Sequence, residues 1–470
     1  MSVPAVVIAA PASGSGKTTL ATGLIGALRK AGHRVAPFKV GPDYIDPGYH
    51  GLAAGRPGRN LDPVLVGEDR VVPLYQHGAR GCDIAVVEGV MGLFDGRIDE
   101  NRADPIAEGS TAQVAGLLGA PVVLVVDARG HSQSLAALLH GFATFDSGVR
   151  LGGVILNRVG SERHEQVLRA ACDRVGLPVL GALPRMAELE VPSRHLGLIP
   201  AVEHGTAATT AVDAMTELVA AHVDLRAIVA MAGGAVTGAA WDPSAELAAA
   251  IGDSVPLDDS VPSERDPAAG PLIAIAGGPA FTFGYAEHRE LLTAAGAEVV
   301  VFDPLVDELP SGTAGLVLPG GFPEEHAGQL SANHRLRTAI AEGAARGLPI
   351  HAECAGLLYL TRSLDGHQMA GVIDADAEFG PRLTLGYRDA VALHDSTLWR
   401  AGARVRGHEF HRTRLVRTGP EHPAWGWRTT GSLAEGAITR QVHASYLHTH
   451  PAGNPDAIAR FVTAARHFTV

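Results

Sequence analysis

Lys17 lies in the run APASGSGKTTLATGL (Ala10–Leu24), where a strand-like stretch, VPAVVIAA, gives way to a helical one. A glycine-rich turn at such a junction can cradle phosphate, because free backbone N–H groups and the helix N-terminus both face the anion. Gly14, Ser15 and Gly16 would supply those N–H groups. Lys17 would reach the β and γ phosphates, Thr18 would offer its hydroxyl to Mg²⁺, and Thr19 completes the run. The usual pattern begins with a glycine separated by four residues from the Gly-Lys pair. Here that place is taken by Pro11.

Two further runs carry charge just after strand-like stretches. FKVGPDYIDPGYH holds Lys39, Asp43 and Asp46, and VVEGVMGLFDG holds Glu88 and Asp95. In open parallel sheets, ligand sites gather at the carboxyl ends of strands. Lys17, Lys39, Asp43, Glu88 and Asp95 are therefore expected to converge. Carboxylates beside a triphosphate act as Mg²⁺ ligands or as partners of a reacting group; bare, they would repel it. Asp43 and Asp46 also suit a turn beside Gly and Pro. ILNRV sets Asn157 at a late strand end, where an amide can read a base edge.

A second chemistry appears in PIHAECAGLLYL. Cys354 stands between a strand-like run and an apolar helix among Ala352, Ala355 and Gly356, the layout of a nucleophile elbow. A helix N-terminus there is expected to lower the thiol pKa. A cysteine nucleophile needs a base; VHASYLHTHP offers His448 and His450, with His448 preferred. LPGGFPEEH supplies Gly320 and Gly321, whose N–H groups, with that of Ala355, would form an oxyanion hole.

These residues need rigid carriers. VPAVVIAA, RVAPFKV, DIAVVEG, PVVLVVDA and LGGVILNRV read as buried strands alternating with helices, and Leu20, Leu24 and Leu28 share one helix face. An Ala-rich helical region follows, then GDSVPLDDSVPSERDPAAG, which reads as a linker. The rhythm restarts in LIAIAGG, EVVVFDP, AGLVLPGG and PIHAEC. The expected fold is two α/β, doubly wound domains, 1–252 and 271–470, joined by a linker at 253–270. No internal repeat is seen.

The chain has 470 residues, 46% hydrophobic and 19% charged, with net charge −12. That acidity gives no support to nucleic-acid binding. Three cysteines, Cys82, Cys172 and Cys354, without short spacing argue against a disulfide scaffold or zinc site. No apolar run reaches membrane-span length. A cytoplasmic protein working on small molecules, without membrane or nucleic-acid partners, is expected; a homodimer is left open.

The shifted glycine resembles the deviant phosphate loop of the dethiobiotin synthetase group, which uses ATP to activate carboxylates. That likeness implies that Asn157 reads adenine. The Gly-Gly loop, cysteine elbow and C-terminal His resemble class I glutamine amidotransferases, in which the cysteine releases ammonia from L-glutamine through a thioester. Those enzymes have a Glu two residues after the His; here that position is His450, so the third triad member is missing from its place. Over almost the whole chain, APASGSGKTT, FKVGPDYIDPGYH, VVEGVMGLFDG, VPSRHLGLIPA, LPGGFPE, AECAGLLYL and RGHEFH resemble the cobyrinic and hydrogenobyrinic acid a,c-diamide synthases.

The resemblance implies amidation of the a and c acetates of a corrinoid, with ATP and Mg²⁺. Thr18, Asp43 and Glu88 would hold the metal. Lys39, Asp43, Asp46 and Asp95 would serve acyl-phosphate chemistry. Tyr44 and Ile45 would lie against the ring, and Arg194 and His195 would meet peripheral carboxylates, which Arg recognises bidentately. His288 stands where the family tends to have Asn, and Arg412-Thr413 replaces an aromatic-Ser pair; both bear on domain contact or substrate fit. Amidation of another tetrapyrrole is the alternative: a nickel sirohydrochlorin, or cobyric acid synthesis, which ranks lower because that related family lacks the KVGPDYIDP form. A P-loop ATPase switch with a silent glutaminase-like tail is the rival from another class. The sequence leaves open whether the ring holds cobalt.

Overall fold

The computed structural model describes residues 2–98, 105–146, 148–185, 193–194, 197–234, 236, 238–252, 270–416, 422–428 and 432–469. The chain divides into two compact units, Met1–Trp241 and Asp242–Val470.

In the first unit, aliphatic runs without polar alternation demand cover on both faces. They form β1 (Ala5–Ala9), β2 (Val35–Val40), β3 (Arg59–Leu61), β4 (Ile84–Glu88), β5 (Val122–Asp127), β6 (Leu151–Val159) and β7 (Val179–Pro184). The strands lie in the order β3-β2-β4-β1-β5-β6-β7, all parallel. Every residue of β1, β2 and β4 is buried. Helix Lys17–Lys30 buries Leu20, Leu24 and Leu28 and packs against helix Thr206–His222. β4 and β5 flank β1, so the chain changes sides there and a crevice opens at the carboxyl edge. Two short strands, β8 (Ser193–Arg194) and β9 (Gly197–Leu198), pair antiparallel beyond the main sheet.

The second unit repeats the theme with β10 (Leu272–Ala276), β11 (Glu298–Phe302), β12 (Thr313–Leu318) and β13 (Ile350–Glu353). A second sheet, unread in the sequence, follows. It contains β14 (Ser363–Leu364), β15 (His367–Gln368), β16 (Asp376–Ala392), β17 (Arg404–Leu415), β18 (Trp425–Arg428) and β19 (Ser432–Glu435). β20 (Ala437–Thr439) and β21 (Val442–Ser445) then return to the first sheet, whose order is β11-β10-β12-β13-β21-β20. Only β20 runs antiparallel in it.

One boundary differs from the sequence reading. Helix Pro243–Gly252, assigned there to the first domain, packs against helices Ala286–Ala294 and Pro455–His467 of the second unit. Its buried Leu247 completes that unit's core. An Ala-rich helix carries no mark of which core it covers, so only packing reveals its owner. Residues 253–269 of the expected linker lie outside the described residues. Among the described residues, no helix is long and apolar enough to cross a membrane.

Candidate active sites

The first site forms where β1, β2 and β4 end. Register pairs Ile8 with Glu88 and Lys39 with Glu88, so the three strand ends present one row. The loop after β1 turns into helix Lys17–Lys30 through Gly16, whose φ is 95°. A Cβ at Gly16 would lie 2.2 Å from Asn157 Nδ2, so glycine is required there on two counts. Asn157 Nδ2 donates to the Ser15 carbonyl at 2.9 Å, and Arg158 donates to the Gly14 carbonyl at 2.9 Å. Asp127, at the end of β5, holds Arg158 in turn. Asn157, expected to face a base, thus also braces the loop. Arg158, with φ 60°, was not anticipated; only its position after Asn157 pointed to it.

Lys39 is the centre of the site. It is 4% exposed, and its Nζ lies 2.7 Å from Asp46 Oδ2, 3.0 Å from Glu88 Oε1 and 3.9 Å from Asp43 Oδ2. Burial disfavours its charge, but Asp46, Glu88 and Asp43 together raise its pKa well above the ordinary lysine value. Thr18 Oγ1 donates to Glu88 Oε1 at 2.7 Å and reaches Asp46 Oδ2 at 3.2 Å. His50 Nε2 stands 2.7 Å from Glu88 Oε2. Burial raises Glu88, yet Lys39 and His50 override it and hold the carboxyl below its usual range. Asp46 goes the other way: burial and the Asp43 charge raise it against the pull of Lys39.

The oxygen set fits a hard divalent cation. Thr18 Oγ1, Glu88 and Asp46 converge and carry more negative charge than Lys39 cancels. Asp43 does not join Thr18. Its Oδ1 instead accepts from the Ile45 and Asp46 N–H groups at 2.9 and 3.0 Å, holding the turn into helix Asp46–Ala54. Of the expected metal set, Thr18 and Glu88 stand together with Asp46, while Asp43 Oδ1 is engaged in the turn. Among the described residues, no three His, Cys, Asp or Glu side chains are placed to hold a metal alone. Mg²⁺ bound by one or two carboxylates plus substrate phosphates needs no such cage.

Lys17 Nζ donates to the Met91 carbonyl at 2.5 Å and reaches the Ala12 carbonyl at 3.5 Å, across the loop mouth. Burial, then the Lys39 charge, bring its pKa down to about 8. Asp95 Oδ2 accepts from the Gly92 N–H at 3.0 Å and shapes the loop that presents Met91. Tyr44 and Ile45 are buried, at 9% and 6% exposure. Tyr49 donates to the Ile199 carbonyl at 2.7 Å, tying the segment after β9 to helix Asp46–Ala54. The side chains of Arg194 and His195 lie outside the described residues.

The second site sits at the carboxyl ends of β12, β13 and β21. Cys354 follows β13 with φ 46° and ψ −96°, a strained elbow ahead of helix Ala355–Leu360. Such a conformation costs about 1–3 kcal/mol and persists only where its surroundings enforce it. The Cys354 N–H donates to the Ser445 carbonyl at 2.7 Å, locking the elbow to β21. The expected lowering of the thiol pKa is overturned. Burial pushes it far up and Glu324 adds to that, while the Ala355 and Gly321 N–H groups pull only partly back. Those two N–H groups face the sulfur. A neutral thiol must lose its proton during attack, so a base is needed.

His448, the preferred base, stands against the Gly320 loop. It is fully buried, and a Cβ on Gly320 would lie 2.3 Å from its Cε1. Its backbone pairs with His408 in both directions at 2.9 Å. His450 is occupied otherwise: its Nδ1 accepts from the Ala452 N–H at 3.2 Å and its ring centroid lies 4.1 Å from that of Tyr285. Two features escaped the sequence reading. Glu353, the residue before the nucleophile, places Oε2 at 3.7 Å from His448 Nδ1. Its signal was the AEC triplet itself. Glu409, paired with Arg388 at 2.6 Å, lies in the RGHEFH run.

His288, expected to bear on domain contact or substrate fit, is partly buried, and its ring centroid lies 5.6 Å from that of His351. Burial, then His351, bring its pKa down to about 3.

Two outcomes follow. Lys39→Met should lower the unfolding free energy by about 3–5 kcal/mol, because it leaves buried carboxylates without their counter-charge; urea unfolding with an unchanged m value checks this. Gly320→Ala should cut glutamate release from glutamine by about 10²-fold or more, by displacing His448 and the hole; a coupled glutamate assay reads it.

Known proteins supply an independent comparison. Residues 6–199 match the CobQ/CobB/MinD/ParA nucleotide binding domain, and residues 272–455 match the CobB/CobQ-like glutamine amidotransferase domain. A hydrogenobyrinate a,c-diamide synthase of Mycobacterium tuberculosis is 62% identical, covering 99% of this chain and 98% of its own. One from Streptomyces coelicolor is 57% identical over 99% and 98%. A cobyrinate a,c-diamide synthase of Gloeobacter violaceus is 42% identical over 97% and 96%. With a phosphate-loop unit and a cysteine-elbow unit in one polypeptide, and this likeness running end to end, the chain belongs to the a,c-diamide synthase family of ATP-dependent, glutamine-hydrolysing amide ligases.

Proposed function

We propose that this chain amidates the a and c acetate carboxylates of hydrogenobyrinic acid, one ATP and one glutamine for each. The full-length likeness to hydrogenobyrinate a,c-diamide synthases carries the choice of substrate. The relatives at 51% identity and above are all named for the metal-free ring, whereas the cobyrinate enzymes stand at 42% and 40%.

The chemistry follows from the residues. A free carboxylate does not react with ammonia, so it must first become an acyl phosphate. The Gly14–Thr19 loop would hold the triphosphate on its N–H groups, and Lys17 would leave the Met91 carbonyl for the phosphates. Asn157 would face the base while bracing Ser15. Thr18, Glu88 and Asp46 would hold Mg²⁺, which neutralises phosphate charge. Lys39 would steady the transferred phosphoryl group, with Asp43 and Asp95 fixing the loops around it. Tyr44 and Ile45 would border the ring. Arg194 and His195 would meet its peripheral carboxylates, since Tyr49 ties the segment that follows them to helix Asp46–Ala54.

In the second unit, Cys354 would attack the glutamine carboxamide as His448 takes its proton. The N–H groups of Gly321 and Ala355 would receive the oxyanion, with Gly320 giving the loop its close approach. Ammonia leaves, and water hydrolyses the thioester. The first unit consumes the ammonia.

The test measures ADP release and product mass with Mg·ATP, glutamine and either hydrogenobyrinic or cobyrinic acid. The expected product has gained two amides, with the metal-free ring preferred. Cys354→Ala should lose glutamine-dependent synthesis and recover it with ammonium salt. No ADP release with either ring would overturn the substrate assignment.

A further inference from the structure

Class I glutaminases orient their base with a carboxylate two residues beyond it, and this chain has His450 there. His450 cannot substitute: it caps the turn Pro451–Gly453 through the Ala452 N–H. An imidazole base without an orienting group loses its tautomer and aim, as removal of a triad acid shows elsewhere.

We infer that Glu353, the residue immediately before the nucleophile, supplies the missing carboxylate, and that His351 positions it from behind. This rests on the reading of Cys354 and His448 as a glutaminase centre. The argument is one of lone pairs. Glu353 Oε1 accepts from the Thr449 N–H at 3.0 Å and the Thr449 hydroxyl at 2.8 Å, and His351 Nε2 stands 3.2 Å away. Three donors saturate that oxygen. They leave Oε2 as the one turned to His448 Nδ1, at 3.7 Å. A shift of about 0.8 Å would bring the pair to hydrogen-bond length, and catalytic hydrogen bonds are commonly long before substrate arrives.

The strand pattern explains why these residues meet. Side chains two apart on a strand share a face, so His351 and Glu353 stand together on β13. β13 pairs with β21 in a register that sets His351 beside His443 and Glu353 beside Ser445. Thr449 and His448 then follow from β21 on the same side. His351 is packed by the rings of His288, Trp399, His443 and Phe461. It cannot swing away from the carboxylate without opening that packing. Charge agrees with geometry: burial would raise the Glu353 carboxyl, yet His351 and His448 overcome it and keep it ionised well below the usual range. Neutral His288 and His443, each brought down to about 3 chiefly by burial, add no competing charge.

The acid therefore rides on the nucleophile's own strand rather than on the segment of the base. Nucleophile and acid are covalent neighbours, and the strained Cys354 backbone sends their side chains to different partners.

The test uses the full chain with hydrogenobyrinic acid and Mg·ATP, measuring glutamate release from glutamine. Glu353→Gln keeps shape and the Thr449 contacts but removes the charge. It should lower kcat by about 10²–10⁴-fold with KM for glutamine within about threefold; added ammonium should restore amide synthesis. His351→Gln, which keeps an N–H donor, should stay within about threefold of the parent kcat, whereas His351→Phe should fall by about tenfold or more. Retention of more than about a third of the parent kcat by Glu353→Gln, while Cys354→Ala abolishes the reaction, would overturn the inference. If Glu353→Gln fails to fold, equal kcat in the two His351 variants would overturn it instead. Glutamine use by Cys354→Ala would bring down the glutaminase reading itself, a separate outcome.

Discussion

One buried ammonium group organises the first unit. Lys39 sits among Asp46, Glu88 and Asp43, and through them it ties together strand β2, strand β4, the start of helix Asp46–Ala54 and, by way of Thr18, the phosphate loop. In a low-dielectric interior such a cluster is strong when complete and costly when a member is lost. It is also not neutral: three carboxylates surround one ammonium, while Lys17 is turned aside onto the Met91 carbonyl. The surplus negative charge is what a divalent cation would balance. The parallel sheet makes this possible, because register alone brings Lys39 and Glu88 into one row.

The second unit depends on strain rather than charge. Cys354 is held in a conformation few residues adopt, by a hydrogen bond to the Ser445 carbonyl. Burial raises the pKa of the thiol, so attack by it would need a proton acceptor. The two units thus solve different problems with the same scaffold. One holds charged oxygens together at a sheet edge; the other holds a buried thiol on a strained elbow.

Most of the site was legible because its residues announce themselves locally. A Gly-Lys-Thr run after a strand, a Gly-Gly loop and a cysteine between strand and helix each state a backbone geometry. Alternating aliphatic strands announced the parallel sheets for the same reason. What escaped depends on registers between distant segments. Whether Asp43 or Asp46 faces Thr18 is decided by an Asx turn that takes one of the two carboxylates. Glu353 meets His448 only because β21 returns beside β13. The thiol shift came out opposite because burial, a tertiary property, outweighs a short helix. The second sheet, β14–β19, was missed because its strands mix exposed Arg and buried His and Glu with apolar residues, and their period-2 signal is weak.

That return of β21 has a bearing on how the protein is made. Every described residue of the phosphate-binding site lies between Gly14 and Arg158, so that unit is synthesised well before the rest. Strand β21, which lies next to the Cys354 elbow, and His448 just after it come near the end of the chain. The elbow itself is pinned by Ser445, so even its strained backbone awaits the last strand. A nascent chain can thus fold its ligase half while the glutaminase half remains incapable of releasing ammonia. The order of synthesis places the consumer of a diffusible intermediate ahead of its producer.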